Sequence, residues 1–136
     1  MLTSFDAGRL FGQLHGHETP RVLALHGWRR DHEDWSASLA TAGTGPLPAL
    51  ALDLPGFGAT PAPEEAWGSP EYARAVQKLL GELAVPVILI GHSFGGRVAV
   101  ELAALEPERV AGIVLTGAPL FPANPAAARR RPPLRY

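Results

Sequence analysis

The apolar run Val85-Pro86-Val87-Ile88-Leu89-Ile90 leads without interruption into Gly91-His92-Ser93-Phe94-Gly95-Gly96. It is too short for a helix and rich in β-branched residues, which suits a strand buried on both faces. Beyond the glycines, Val98, Leu102 and Leu105 recur at helical spacing until Pro107, predicting a helix from about Phe94 to Glu106 with those three side chains inward. The chain must therefore pass from strand to helix around one serine. Gly91 and Gly95, two positions to either side, remove the bulk that would block so tight a turn, and Gly96 lets the helix approach the sheet. Such a turn lifts Ser93 Oγ above the strand end, at the positive end of the following helix, where an alkoxide or oxyanion is stabilised. Ser93 is a candidate nucleophile; the alternative is a serine that only shapes the turn.

The same order recurs along the chain. Arg21 to Leu25 reads as a buried strand ended by His26-Gly27, and Asp31 can cap a helix running through Asp34, Trp35 and Leu39 to about Ala42, where Gly43-Thr44-Gly45-Pro46 breaks it. Pro48 to Asp53 is the next strand, and Leu54-Pro55-Gly56-Phe57-Gly58 turns the chain out of the sheet. After a Pro-rich loop, Ser69-Pro70-Glu71 starts a helix with Ser69 as the cap, and Val76, Leu79, Leu80 and Leu83 make one face apolar. Val110 to Thr116 predicts one more buried strand. Weak alternation from Leu2 to His17 is consistent with a two-stranded hairpin. Strands alternating with helices imply a three-layer α/β/α fold, a mainly parallel sheet covered on both faces with right-handed crossovers.

Composition closes off several function classes. With 136 residues the chain fits one domain, and a formal charge of −1 supplies no field for nucleic acid or an anionic membrane. No cysteine is present, so disulfides and thiolate chemistry are excluded. The first residues lack the basic start and apolar core of a signal peptide, and no apolar run approaches about 18 residues, so a cytoplasmic location is expected. No His/Asp/Glu set has ligand spacing, and neither a metal nor an organic cofactor is expected. From residue 119 to 136 the pattern dissolves into Pro, Ala and Arg, and Arg129-Arg130-Arg131 with Arg135 reads as a solvated basic cluster.

Gly91-x-Ser93-x-Gly95 resembles the nucleophile elbow of the α/β-hydrolase superfamily. Two further segments resemble that superfamily in the same order: His26-Gly27-Trp28 after a strand, and Asp53-Leu54-Pro55-Gly56-Phe57-Gly58 after the next. The resemblance implies a serine hydrolase acting on a small ester, thioester or amide through an acyl-Ser93 intermediate. Backbone amides of Trp28 and Phe94 would form the oxyanion hole, with Trp28, His92 and Phe94 against the substrate. His26, Gly27 and Asp53 would organise the loops. Trp28, Trp35, Phe57 and Phe94 either wall an acyl pocket or belong to the core, and Arg97 either meets a substrate carboxylate or tethers a loop. Residues 1–118 would be the N-terminal part of the hydrolase core, and 119–136 the start of a lid or a tail.

In that superfamily the triad runs serine, acid, histidine along the sequence. Glu101, Glu106 and Glu108 are the only acids after Ser93, and all five histidines lie before it. Without a base, a serine hydroxyl is a poor nucleophile at neutral pH. The favoured expectation is the N-terminal portion of a longer hydrolase, cut before its C-terminal strands. A non-catalytic α/β binding module and a split enzyme completed by another chain are the alternatives, and the edge of the last strand could support self-association. The elbow does not specify the bond broken, so C–C bond hydrolysis or perhydrolysis on the same scaffold also stays open.

Overall fold

The computed structural model describes residues 1–41, 48–83 and 86–120. They form a six-stranded sheet of β1 (Leu2–Phe5), β2 (Leu10–His15), β3 (Val22–Leu25), β4 (Ala49–Asp53), β5 (Val87–His92) and β6 (Val110–Thr116), in the order β1-β2-β4-β3-β5-β6. The hairpin expected near the start is present as β1 and β2, and β2 runs antiparallel to β4. The other pairings, β4 with β3, β3 with β5 and β5 with β6, are parallel. The described helices are α1 (Ser36–Thr41), α2 (Ser69–Leu80) and α3 (Phe94–Leu105).

Alternation along the strands divides the core in two. Leu23 and Leu25 of β3 join Leu50, Leu52 and Leu89 under α2 and α3, where Val76, Leu79, Val98 and Leu102 close the layer. Val22 and Ala24 point the other way and meet Leu39 of α1 together with Ala49 and Ala51. All four residues of β3 are buried, which is why its sequence runs apolar rather than alternating. The result is the expected three-layer α/β/α arrangement. No helix among the described residues is long and apolar enough to cross a membrane.

Several boundaries differ from expectation. Asp31 does accept a hydrogen bond from the Glu33 amide, but His32–Trp35 winds as a tighter 3-10 turn before α1 begins at Ser36. The predicted end of that helix at Ala42, with its break at Gly43-Pro46, lies outside the described residues. The cap of α2 is Gly68, whose N–H donates to Glu71 Oε2 at 2.8 Å, and Ser69 is the first helical residue instead. Its hydroxyl is drawn away from capping by Glu101 on α3, to which it donates at 2.5 Å. The strand before the elbow spans Val87–His92, so Gly91 and His92 extend the ladder; Val85 lies outside the described residues, as do residues 121–136.

Three burial expectations fail: β5 alternates instead of being buried on both faces, with Ile88 41% exposed, Leu105 of α3 lies beside Pro70 and Arg74 of α2 at the surface, and β6 is open. Leu105 is 43% exposed, and in β6 Ile113, Val114 and Leu115 are 39%, 49% and 37% exposed. β6 is the last strand of the described sheet, with β5 on one side only, and α1 sits across β3 and β4 rather than over it. The covering of both faces is therefore incomplete at this edge. Apolar composition marks a strand that suits an interior, but it does not say which polypeptide supplies the other wall.

Candidate active site

The order of connections places a crevice in the sheet. From β3 the chain crosses by α1 on one face to β4, whereas from β5 it crosses by α3 on the other face to β6, yet β3 and β5 are neighbours. The two connections diverge from the carboxyl ends of these strands, the position at which open α/β sheets bind ligands. His26-Gly27-Trp28 follows one strand and Ser93-Phe94 the other. Leu25 is in register with Gly91, and a Cβ placed on Gly27 would stand 3.6 Å from Ser93 Cβ. The two segments that the sequence singles out separately thus meet in space.

Ser93 has φ 51 and ψ −114. That is the backbone of the first central residue of a type II′ turn, where glycine normally sits, and it costs a serine on the order of 1–3 kcal/mol. Its N–H donates to Thr116 O at 2.9 Å, and its carbonyl accepts from Gly96 and Arg97 at 3.0 and 3.3 Å. A serine in this N-cap position ordinarily adopts extended backbone and turns its hydroxyl onto an amide of the first turn. Ser93 does neither: its hydroxyl makes no capping bond, and it has no other side-chain partner among the described residues. The residue is half-buried at the mouth of the crevice.

Close backbone approach explains the flanking glycines. A Cβ on Gly91 would lie 2.5 Å from Gly96 Cα, and one on Gly96 would lie 2.5 Å from Ala118 Cβ. On Gly95 it would run into the carbonyl oxygens of Leu25 and His26, so the first turn of α3 rests directly on the end of β3.

Two buried polar side chains anchor the surrounding loops. His26 is fully buried, its Nδ1–H donating to Gly27 O at 2.7 Å while its Nε2 accepts from the Leu54 amide at 3.0 Å. A backbone N–H can only donate and a carbonyl only accept, so these partners fix the tautomer. Burial holds the imidazole below its ordinary pKa, against the weaker opposite pull of the Gly27 carbonyl and Asp53. With both ring nitrogens committed, His26 ties the loop after β3 to the loop after β4. Asp53, also fully buried, accepts from the His32 amide at 2.8 Å and the Ala59 amide at 2.9 Å, and meets His32 Nδ1 at 2.8 Å.

Above these loops the aromatic rings interlock edge to face. Trp28 meets Phe57 at 4.9 Å and Phe94 at 5.3 Å between centroids, and Phe94 meets Tyr72 at 5.1 Å. Phe94 is a core residue, while Trp28 and Phe57 are only partly buried against it. Trp35 does not join them; it packs in the second core, on the α1 face. Tyr72 and Trp67 complete the group, with centroids 5.5 Å apart. Sequence reasoning missed both, although Tyr72 stands one turn before Val76 on the apolar stripe of α2.

Two of the three acids that follow Ser93 are engaged away from it, and Glu108 is exposed beyond the end of α3. Glu101 binds Ser69, and Glu106 accepts from Gln77 on α2 at 2.9 Å. His92, beside the nucleophile candidate along the chain, is exposed, with Nδ1 2.9 Å from Thr116 Oγ1. Arg97 lies one turn into α3. A cleft of about 300 Å³ opens elsewhere, between the β1–β2 turn and α2, lined by residues such as Arg9, Pro61, Trp67 and Lys78; it includes none of the residues around Ser93.

The family model described as "Alpha/beta hydrolase family" matches residues 22–136. Esterase Rv0045c of Mycobacterium tuberculosis is 35% identical over 112 residues, covering 81% of this chain and 37% of that protein. A pimeloyl-acyl carrier protein methyl ester esterase of Aromatoleum aromaticum is 37% identical over 113 residues, covering 80% of this chain and 42% of that protein. Among solved structures, the crystal structure of esterase Rv0045c superposes with a TM-score of 0.74 at 30% identity, covering 96% of this chain and 44% of that one. An epoxide hydrolase from Vigna radiata gives 0.78 at 28% identity, with 96% and 43% covered. The chain thus spans less than half the length of each of these proteins.

Proposed function

The chain belongs to the alpha/beta hydrolase family, and on that premise we propose that it carries the nucleophile and oxyanion half of a serine hydrolase acting on a small ester, thioester or amide. The observation that carries this reading is Ser93 itself. A serine that begins a helix but does not cap it, and that holds a glycine's backbone at a topological switch point, has a hydroxyl set aside for something else. The esterase names of several relatives support an ester as the bond cleaved.

In this reading Ser93 Oγ attacks the substrate carbonyl carbon while a base takes its proton. The carbonyl oxygen becomes an oxyanion facing the amides of Trp28 and Phe94, and collapse of the adduct expels the alcohol, thiol or amine to leave acyl-Ser93. Water then adds to the acyl carbon and releases the acid. Each oxyanion donor typically contributes about 2.7–4 kcal/mol to the barrier. The base and its acid come from outside these 136 residues, since no histidine follows Ser93. The apolar flank of β6, open among the described residues, supports further polypeptide packing on that side. Trp28 and Phe57, partly buried beside the crevice, supply an apolar wall for the acyl group.

A fluorophosphonate probe on the intact protein tests this. Covalent labelling that disappears in Ser93→Ala is the expected result. Labelling that persists in that variant, or an intact protein that never labels, overturns it.

A further inference from the structure

The β5–β6 ladder ends at the pair His92 and Thr116, one residue before the elbow. Thr116 reaches the elbow twice. Its carbonyl accepts the Ser93 N–H at 2.9 Å, and its hydroxyl lies 2.9 Å from His92 Nδ1. The chain then bends away at Gly117, with φ 56, where an added Cβ would stand 3.6 Å from His92 Cε1. On its other edge, His92 Cδ2 lies 3.3 Å from where a Gly27 Cβ would be. The imidazole is therefore lodged between the end of β6 and the loop after β3, across the end of β5 that leads into Ser93.

We infer that Thr116 is a positioning residue for the nucleophile, acting through a hydroxyl–imidazole pin on His92 and a main-chain bond to Ser93. The inference rests on the reading of Ser93 as nucleophile. A disfavoured backbone persists only where its surroundings over-determine it. Gly91, Gly95 and Gly96 make the turn sterically allowed, and the Gly96 and Arg97 amides hold the Ser93 carbonyl from the helix side. The bonds from Thr116 hold the other side, because they fix the amide of Ser93 and the side chain before it to the neighbouring strand. His92 then serves as a strut between the two loops, and its contribution comes through geometry rather than through contact with substrate.

The pin is solvent-open in the described residues, so removing the hydroxyl costs the fold little, and that separates positioning from general stability. In the intact protein, Thr116→Val keeps the shape of a strand residue while deleting Oγ. The expected result is a fall of about tenfold in kcat, the weight of one hydrogen bond, with KM unchanged and a matching slowing of fluorophosphonate labelling. Thermal stability should stay near the parent's. Thr116→Ser should restore the rate, and His92→Phe, which breaks the pin from its other end, should lose a similar factor. The double variant should lose no more than the worse single one, since both remove one interaction. Labelling of Thr116→Val at the parental rate, through Ser93, overturns the pin and leaves the nucleophile standing; so does a fully additive double variant. Labelling that survives Ser93→Ala fails the underlying reading and the pin with it.

Discussion

Gly95 sets helix propensity against packing, and the structure decides the sign. In the first turn of a helix, replacing glycine by alanine ordinarily gains about 1 kcal/mol. Here the new methyl would overlap the carbonyl oxygens of Leu25 and His26. Apolar carbons sit at roughly 3.5 Å from their neighbours, so α3 would have to draw back from β3 by about 1 Å. Neither obstacle can rotate aside, because both are main chain of the central strand's end. Overpacking in a tight core costs about 1–3 kcal/mol, and rigid backbone obstacles place Gly95→Ala at the upper end. The net expectation is a loss of about 2 kcal/mol, or roughly 4–8 °C in Tm for a protein longer than about 150 residues. Urea and thermal unfolding of the intact protein measure it, with Gly112→Ala as the matched control. Among the described residues nothing lies within 4 Å of a Cβ added to Gly112 in β6, so any cost of that substitution comes from polypeptide packed on the open flank of β6 and not from α3, and without such packing it is neutral or stabilising by about 0.5 kcal/mol. A Gly95→Ala variant as stable as its parent would refute the claim that α3 rests on the end of β3.

Ser93→Gly should stabilise the protein while removing the proposed nucleophile: relief of the strained backbone outweighs glycine's entropy by about 1 kcal/mol, and a Tm below the parent's would contradict the strain. Asp53→Ala should be severe, costing roughly 3–5 kcal/mol, because the His32 and Ala59 amides and the His32 ring all lose one acceptor; chemical denaturation gives the figure. Stability should also fall with acid. Burial lowers the pKa of both His26 and His15 from the ordinary 6.5, so the unfolded chain takes up protons first, and stability is complete above about pH 6.5 and declines as pH drops below it. Urea midpoints between pH 8 and 5 test this, and His26→Gln should flatten the slope.

The sequence made the parallel layers legible because β3 and β4 are buried on both faces and therefore run apolar without alternation, whereas β5 carries an equally apolar run although its burial alternates. It made the elbow legible because glycine spacing records backbone crowding directly. What it could not carry was partner choice. Ser69 has the chemistry of a cap, and only the position of Glu101 on another helix reveals that its hydroxyl is used between helices. Trp35 and Trp28 look equivalent along the chain, yet the 3-10 turn at His32–Trp35 sends one to the α1 face while the other stays at the crevice. Thr116 gave no signal at all, because its importance comes from strand register, which places it beside His92 at the end of β6.

The divergence of connections at β3 and β5 explains why these segments work together although more than sixty residues separate them. Two neighbouring parallel strands whose crossovers leave on opposite faces cannot both be roofed by their own helices, so the space above their ends stays open. A glycine-lined close approach then fixes the distance between the strand ends, since α3 rests on the Leu25 and His26 carbonyls. His26 sets the height of the loop from below by joining it to Leu54. Ser93 is thereby located by contacts with the ends of β3 and β6 at once, and a residue so constrained can keep an unfavourable backbone that local sequence would not choose.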